Sequence, residues 1–187
     1  QRGCRIAVHL KVDSGMGRVG FLPSLLRDFL PQLKQLKGVE IVGLMSHLAC
    51  ADELDSGVTL QQLERFRAVQ QMLRDAGMPA KDIHISNSAG ISGWDVPEAT
   101  MMRPGIMLYG GLPGPDFVDK LDLQPVMHLR SCISQLRNLP KGSGVSYGHN
   151  FYTERETRVA VLPIGYADGY NRLWSNKGQG ILHGKKV

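Results

Sequence analysis

Hydrophobic positions along the chain follow two periods. Up to about residue 110, short apolar runs alternate with stretches in which apolar residues recur every three or four positions. Arg5 to Val12 reads as a strand, followed by a glycine-rich turn, Gly15-Met16-Gly17-Arg18-Val19-Gly20. Between Pro23 and Leu36 the leucines and Phe29 mark a helix face, with Pro31 predicting a kink or a late first turn and Gly38 closing the element. Val39 to Met45 is nearly all apolar, as in a strand buried on both faces. Leu60, Leu63, Phe66, Val69 and Leu73 predict a long amphipathic helix ended by Gly77 and Pro79. Asp82 to Ile85 is a short strand, Trp94 to Thr100 a loop or short helix, and Met101 to Tyr109 holds a fourth strand signal. Strands separated by helices imply βαβ units and a parallel sheet. Four such strands are half of a (β/α)8 barrel or the core of a doubly wound sheet.

The pattern then changes. Gly110 to Pro115 is linker-like, and from Val126 onward strand runs with Gly and Pro turns replace long helices. Val126 to Leu136 and Thr157 to Ile164 are the clearest strands. The fold class is α/β over residues 1–120 followed by a β-rich region over 121–187. The chain opens on Gln1 and reads at once as a strand. It stops just after a turn at His183-Gly184, where a returning strand would leave backbone groups unpaired. Both features predict a piece of a longer protein.

With 187 residues and 42% hydrophobic content, the composition is that of a globular protein. No apolar run approaches the ~18–20 residues of a membrane helix. Cys4, Cys50 and Cys132 lack paired spacing, which disfavours a disulfide scaffold or zinc finger and fits a reducing compartment. The net charge of +5 is scattered, with no basic run beyond Lys185-Lys186, so a nucleic-acid surface is not expected. A few placed arginines suit an anionic small molecule better.

Each strand delivers polar groups to one end: Lys11, Asp13 and Arg18 after the first, His47 and Asp52-Glu53 after the second, Asn87 and Ser88 after the third, Arg103 and Gly105 on the fourth. Strand ends build the active face of a barrel. Ser88 with the N–H groups near Gly105-Ile106 could hold a phosphate. Gly15-x-Gly17-x-x-Gly20 also resembles a dinucleotide fingerprint, with Glu40 at the distance of a ribose-binding acid. Against that reading, polar Asp13-Ser14 intervenes after the strand and Pro23 delays the helix. Tyr147, in a glycine-flanked turn, reads either as a packed aromatic or as an acid/base.

Taken in order, six segments resemble the alanine racemase family: Lys11 to Gly20, Ser46 to Asp52, His84 to Ala89, Arg103 to Gly110, Val145 to Gly148 and Pro163 to Tyr170. The resemblance covers the whole chain. It implies the second half of a barrel binding pyridoxal 5'-phosphate, then the first part of a β-domain. It implies a cytoplasmic isomerase that interconverts L- and D-alanine by two bases, supplying D-alanine for peptidoglycan. No metal is implied.

Residue by residue, the resemblance gives Arg103 the contact to the cofactor's ring nitrogen. Arginine, with a pKa above ~12, does not readily surrender a proton there. His47 matches the histidine packed on that arginine, and Ser88, Gly105 and Ile106 match phosphate contacts. Arg18 matches the arginine near the cofactor's phenolic oxygen and the substrate carboxylate. Lys11 matches a lysine often carried as a carbamate, which would hold Arg18. Tyr147 matches the second catalytic base, reaching the site from a partner subunit, which implies a homodimer. Asp52, Tyr166 and Arg172 match the substrate entrance. The lysine that forms the Schiff base with the cofactor has no counterpart here, so the isolated chain is expected to be inactive. Racemisation of serine or another amino acid is an alternative, as is a non-catalytic cofactor-binding relative, though a mere holder needs no second base.

Overall fold

Three strands, β1 (Ile6–Lys11), β2 (Val39–Met45) and β3 (Asp82–His84), lie parallel in sequential order. They belong to the first of two compact units, Gln1–Met127 and His128–Val187, in a computed structural model that describes residues 4–187. The β1–β2 register slips between Val8 and His9, so that Val42 bulges out. The Val42 carbonyl accepts instead from Lys81 N–H at 2.8 Å. Gly43 stands opposite His9, and a Cβ there would come within 2.6 Å of the imidazole ring.

Helix α1 (Pro23–Gln35) begins on Pro23, where the missing N–H costs nothing. It continues through Pro31 without a break. Only Leu26 and Leu30 of its apolar set are buried. Leu25 and Phe29 are exposed, and Phe29 leans on Phe21 with ring centroids 5.6 Å apart. Helix α2 (Gly57–Asp75) buries Leu63, Phe66, Val69 and Leu73, while Leu60 falls outside the stripe. Burying a side chain such as Phe66 contributes about 2–3 kcal/mol. Gly77, at φ +68°, ends α2: Met78 N–H bonds the Leu73 carbonyl and Gly77 N–H that of Arg74, both at 2.9 Å. A short helix, α3 (Ser88–Gly93), follows β3.

The fourth strand expected over Met101 to Tyr109 does not form. Residues 101–105 are irregular, and Ile106–Tyr109 is a 3-10 turn. The segment still runs beside β3. Thr100 N–H donates to the Ile83 carbonyl at 2.9 Å, and Arg103 N–H donates to the Ser86 carbonyl at 3.1 Å. The ladder fails for two chemical reasons. The Thr100 hydroxyl replaces a backbone carbonyl as acceptor for Ile83 N–H at 2.8 Å, and Pro104 has no N–H to give.

The second unit is built of short antiparallel pairs. β4 (Gln135–Leu139) pairs with β7 (Thr157–Val161), and β5 (Gly144–Val145) with β6 (Phe151–Tyr152). The expected strand over Val126 to Leu136 is regular only from Gln135. Buried Thr153 pins the turn before β5, donating to the Pro140 carbonyl at 2.6 Å and accepting from Ser143 N–H at 2.9 Å. β8 (Ile181–Leu182) and β9 (Lys185–Lys186) form a hairpin through His183 and Gly184, both at positive φ as a tight two-residue turn requires. The return strand pairs with β8 along its inner edge, where Val187 and Gly180 also exchange two backbone bonds of 2.9 Å. Among the described residues, no helix is long and apolar enough to cross a membrane.

Candidate functional site

The C-terminal ends of β1, β2 and β3 meet where the polar residues gather. Ser46, just past β2, knits two of these ends together. Its buried hydroxyl donates to the Val12 carbonyl at 2.9 Å and lies 2.8 Å from the Ser14 hydroxyl. Its carbonyl accepts from Arg103 Nη2 at 2.6 Å. Arg103 Nη2 also lies 3.3 Å from the Ile85 carbonyl and 3.4 Å from His47 Nδ1.

Arg103 Nη1 sits 2.5 Å from His84 Nδ1. A guanidinium only donates, so His84 Nδ1 is the acceptor and its proton resides on Nε2. Nε2 in turn faces His9 Nδ1 at 2.6 Å, which places the His9 proton on Nε2, 3.6 Å from the Asp82 carboxylate. Burial first, then the Arg103 charge, pushes His84 down to about 4, so this imidazole is neutral at neutral pH. The chain of donors runs outward from Arg103 to Asp82, and nothing in it accepts a proton at the arginine's expense.

Lys11, half-buried, is held below its ordinary value by burial and by Arg103. His47 is lowered by burial, then by Arg103, Arg18 and Lys11. Among the described residues, the only ion pairs are His9–Asp82 and Arg67–Glu98. Lys11, Arg18 and Arg103 thus form a cationic cluster with no carboxylate in salt-bridge contact, an arrangement that favours an anion.

Two further constraints set the loops. Asp13, 8% exposed, accepts from the N–H groups of Gly15, Met16, Gly17 and Arg18 at 2.8–3.1 Å. Burial raises this carboxyl, but the four donors outweigh it and hold it below its ordinary value. Gln62 of α2, fully buried, takes Ala49 N–H on its Oε1 at 2.8 Å and gives its Nε2–H to the His47 carbonyl at 3.0 Å. It fixes the turn that carries His47.

Ser88 opens α3 beside Asn87, whose side chain caps the helix by accepting Gly90 N–H at 2.9 Å. The buried Ser88 hydroxyl lies 2.9 Å from Gly105 N and 3.4 Å from Met107 N. No atom lies within 4 Å of where a Gly105 side chain would begin. The Ser88 oxygen takes both of these N–H groups, and its own proton, beside the open space at Gly105, is what it can give to a phosphoryl group. Ile106 follows Gly105 at the start of the 3-10 turn. Asp52 sits half-buried on the turn before α2, against Gly114.

In the second unit, Tyr147 stands almost fully exposed on a turn between β5 and β6. Its neighbours Ser146 and Gly148 have φ of 62° and 73°. Tyr147, Phe151, Tyr166, Tyr170 and Arg172 line one groove. The Arg172 guanidinium lies 6.0 Å from the Tyr166 ring centre. Asn176 donates to the Asn150 carbonyl at 2.9 Å and ties the Tyr147 turn to the opposite wall.

Sequence reading did not single out His9, Ser46, Gln62 or His84 as site residues. His84 lay inside a segment already noted, at a strand end. Gln62 carried no signal, since a polar residue on an amphipathic helix ordinarily faces water.

Comparisons with known proteins agree across the chain. The family model "Alanine racemase, N-terminal domain" matches residues 1–113, and "Alanine racemase, C-terminal domain" matches residues 126–187. The chain is 42% identical over 180 residues to an alanine racemase of Halothermothrix orenii, covering 96% of this chain and 48% of that protein. An alanine racemase of Geobacter sulfurreducens is 40% identical over 186 residues, covering 98% and 49%. Among solved structures, alanine racemase of Clostridium difficile 630 superposes with TM-score 0.85 at 35% identity, covering 98% of this chain and 48% of that one. The Bacillus anthracis alanine racemase with bound L-Ala-P gives 0.86 at 30% identity with the same coverage. The chain spans about half the length of the curated relatives it matches.

Proposed function

Since the chain belongs to the alanine racemase family, we propose that it carries part of the active site of a racemase acting on alanine with pyridoxal 5'-phosphate. The observation that carries this is the Lys11–Arg18–Arg103 cluster, with no carboxylate in salt-bridge contact and only Asp13 acting on Lys11, beside the Ser88–Gly105 cradle. Ser88, Gly105 and Ile106 would hold the cofactor phosphate, and Arg103, flanked by His47, its ring nitrogen. When bound, the cofactor withdraws electrons from the substrate and acidifies its Cα–H.

The chain's own residues set the terms of that chemistry. Arg103 is fixed through neutral acceptors, so it stays a cation and presents donors only. A cation that keeps its proton tempers electron withdrawal, which suits returning a proton to Cα. Arg18 holds the substrate carboxylate by its planar fork. The Tyr147 Oη gives and takes the proton on one face, and the family likeness assigns entrance roles to Tyr166 and Arg172 in the second unit and to Asp52 in the first. Lys11, near Arg18 and depressed by its surroundings, is the residue for carbamylation.

The same reading includes the rest of the expected biology, supported by the family alone. It is a homodimer in which Tyr147 serves the partner's site, located in the cytoplasm, with D-alanine destined for peptidoglycan. It assigns residues 1–120 to the barrel and 121–187 to the β-domain. The test is chiral analysis of alanine incubated with the full-length protein and with the isolated 187-residue chain. Both enantiomers are expected to interconvert with the full-length protein. The isolated chain, lacking a match to the cofactor-linking lysine, is expected to give none. Serine turned over in preference to alanine would refute the substrate assignment.

A further inference from the structure

Residues 13–21 leave the end of β1 and return to it. Asp13 N–H donates to the Phe21 carbonyl at 2.9 Å, and Phe21 N–H donates to the Lys11 carbonyl at 3.0 Å. Gly20, at φ +121°, makes the return possible, because a Cβ there would lie 2.8 Å from the Val12 backbone. The excursion therefore closes on itself. What shapes its interior is one carboxylate. Asp13 Oδ1 takes the N–H groups of Gly15, Met16 and Gly17, and Oδ2 alone takes that of Arg18, at 3.0 Å. From α2, Arg65 Nη1 donates to the Ser14 carbonyl at 3.2 Å and braces the loop from outside.

The division between the two oxygens is informative. Three donors on Oδ1 define the turn. The fourth, on Oδ2, fixes the backbone of Arg18, the one cation of the loop, whose charge is felt at both Lys11 and His47. Arg18 is exposed and long, so its guanidinium is localised only as well as its own backbone is. We propose that Asp13 is the positioning residue for Arg18: its Oδ2 holds the Arg18 backbone so that the guanidinium meets the substrate carboxylate preformed. The proposal rests on the reading of Arg18 as the carboxylate contact. It gives the glycine-rich turn a function unlike phosphate binding, since its N–H groups are already filled by an internal anion.

Asp13→Asn isolates the effect. Its amide oxygen can still accept the three turn donors, while its amide nitrogen places a donor against Arg18 N–H. The test is made in the full-length protein, using propionate as a non-reacting carboxylate probe and alanine kinetics in both directions. Asp13→Asn is expected to weaken propionate binding and raise KM for both enantiomers by about tenfold, with a smaller change in kcat. In an Arg18→Ala background the same change is expected to add nothing, because Asp13 acts through Arg18. If Asp13→Asn does not fold, Asp13→Ser, which keeps a short acceptor for the turn, takes its place in the same cycle. Additive effects of the two substitutions, or unaltered propionate binding in the single variant, would overturn the proposal. Arg18→Ala leaving propionate binding intact would overturn the underlying reading of Arg18 instead.

Discussion

His84 accepts from Arg103 at 2.5 Å through Nδ1 and turns its other nitrogen to His9 at 2.6 Å. This relationship fixes both a tautomer and a charge state. A neutral His84 is the condition for Arg103 to be held by hydrogen bonding instead of being repelled by a second cation.

The pH dependence follows with a definite sign. His84 is depressed to about 4 in the folded chain, against about 6.5 when unfolded. The unfolded state therefore binds the extra proton first. The stability His84 contributes is complete above pH 6.5 and is lost as pH falls from there to about 4, amounting to at most about 3 kcal/mol. Urea midpoints measured across that window should decline on acidification. His84→Gln, which does not titrate, should flatten the decline.

Asp13 loses stability in a lower window. Its carboxyl is depressed, so its contribution is complete above about 3.9, the unfolded value, and disappears as pH falls through the lower folded value. In the His84→Gln protein, the residual decline above about pH 4 belongs to His47, which is also lowered, and a further loss from carboxylates sets in below about pH 4. Asp13→Asn should reduce the loss below about pH 4, leaving the part due to Glu98, whose carboxyl is lowered too.

Gln62→Leu tests the brace on His47. It strips the Ala49 N–H and the His47 carbonyl of their side-chain partners in a fully buried setting. A loss of about 2–4 kcal/mol is expected, read from denaturant unfolding. Gln62→Glu should restore only the acceptor half and cost more than half of that loss, since it also buries a charge.

The phosphate cradle makes a selective prediction. Ser88→Ala in the full-length protein should weaken pyridoxal 5'-phosphate binding by about tenfold, followed by absorbance titration. Binding of pyridoxal, which lacks the phosphate, should hardly change. Equal losses for both would place the phosphate elsewhere.

Much of the architecture was legible in the residues. Val39 to Met45 announced a strand by being nearly all apolar, although only Gly43 and Leu44 in it are buried, and Leu63 to Leu73 announced an amphipathic helix by spacing. Met101 to Tyr109 misled, because apolar content alone cannot show that Thr100 would take the place of a carbonyl or that Pro104 would stop the ladder. Leu60 and Phe29 misled because a stripe's edge depends on which neighbour it meets. The charged strand ends were visible as a cluster. The partners that fix them were not, since Ser46 and Gln62 act through backbone groups from distant positions.

The central claim is that Tyr147 moves a proton on one face of the substrate while the Arg103 site holds the cofactor. Its most direct test is Tyr147→Phe in the full-length protein, followed by NMR in deuterated water with each alanine enantiomer separately. The account predicts loss of racemisation in both directions, with deuterium still entering Cα of one enantiomer only, the one served by the opposite base. Racemisation proceeding undiminished in both directions would contradict it.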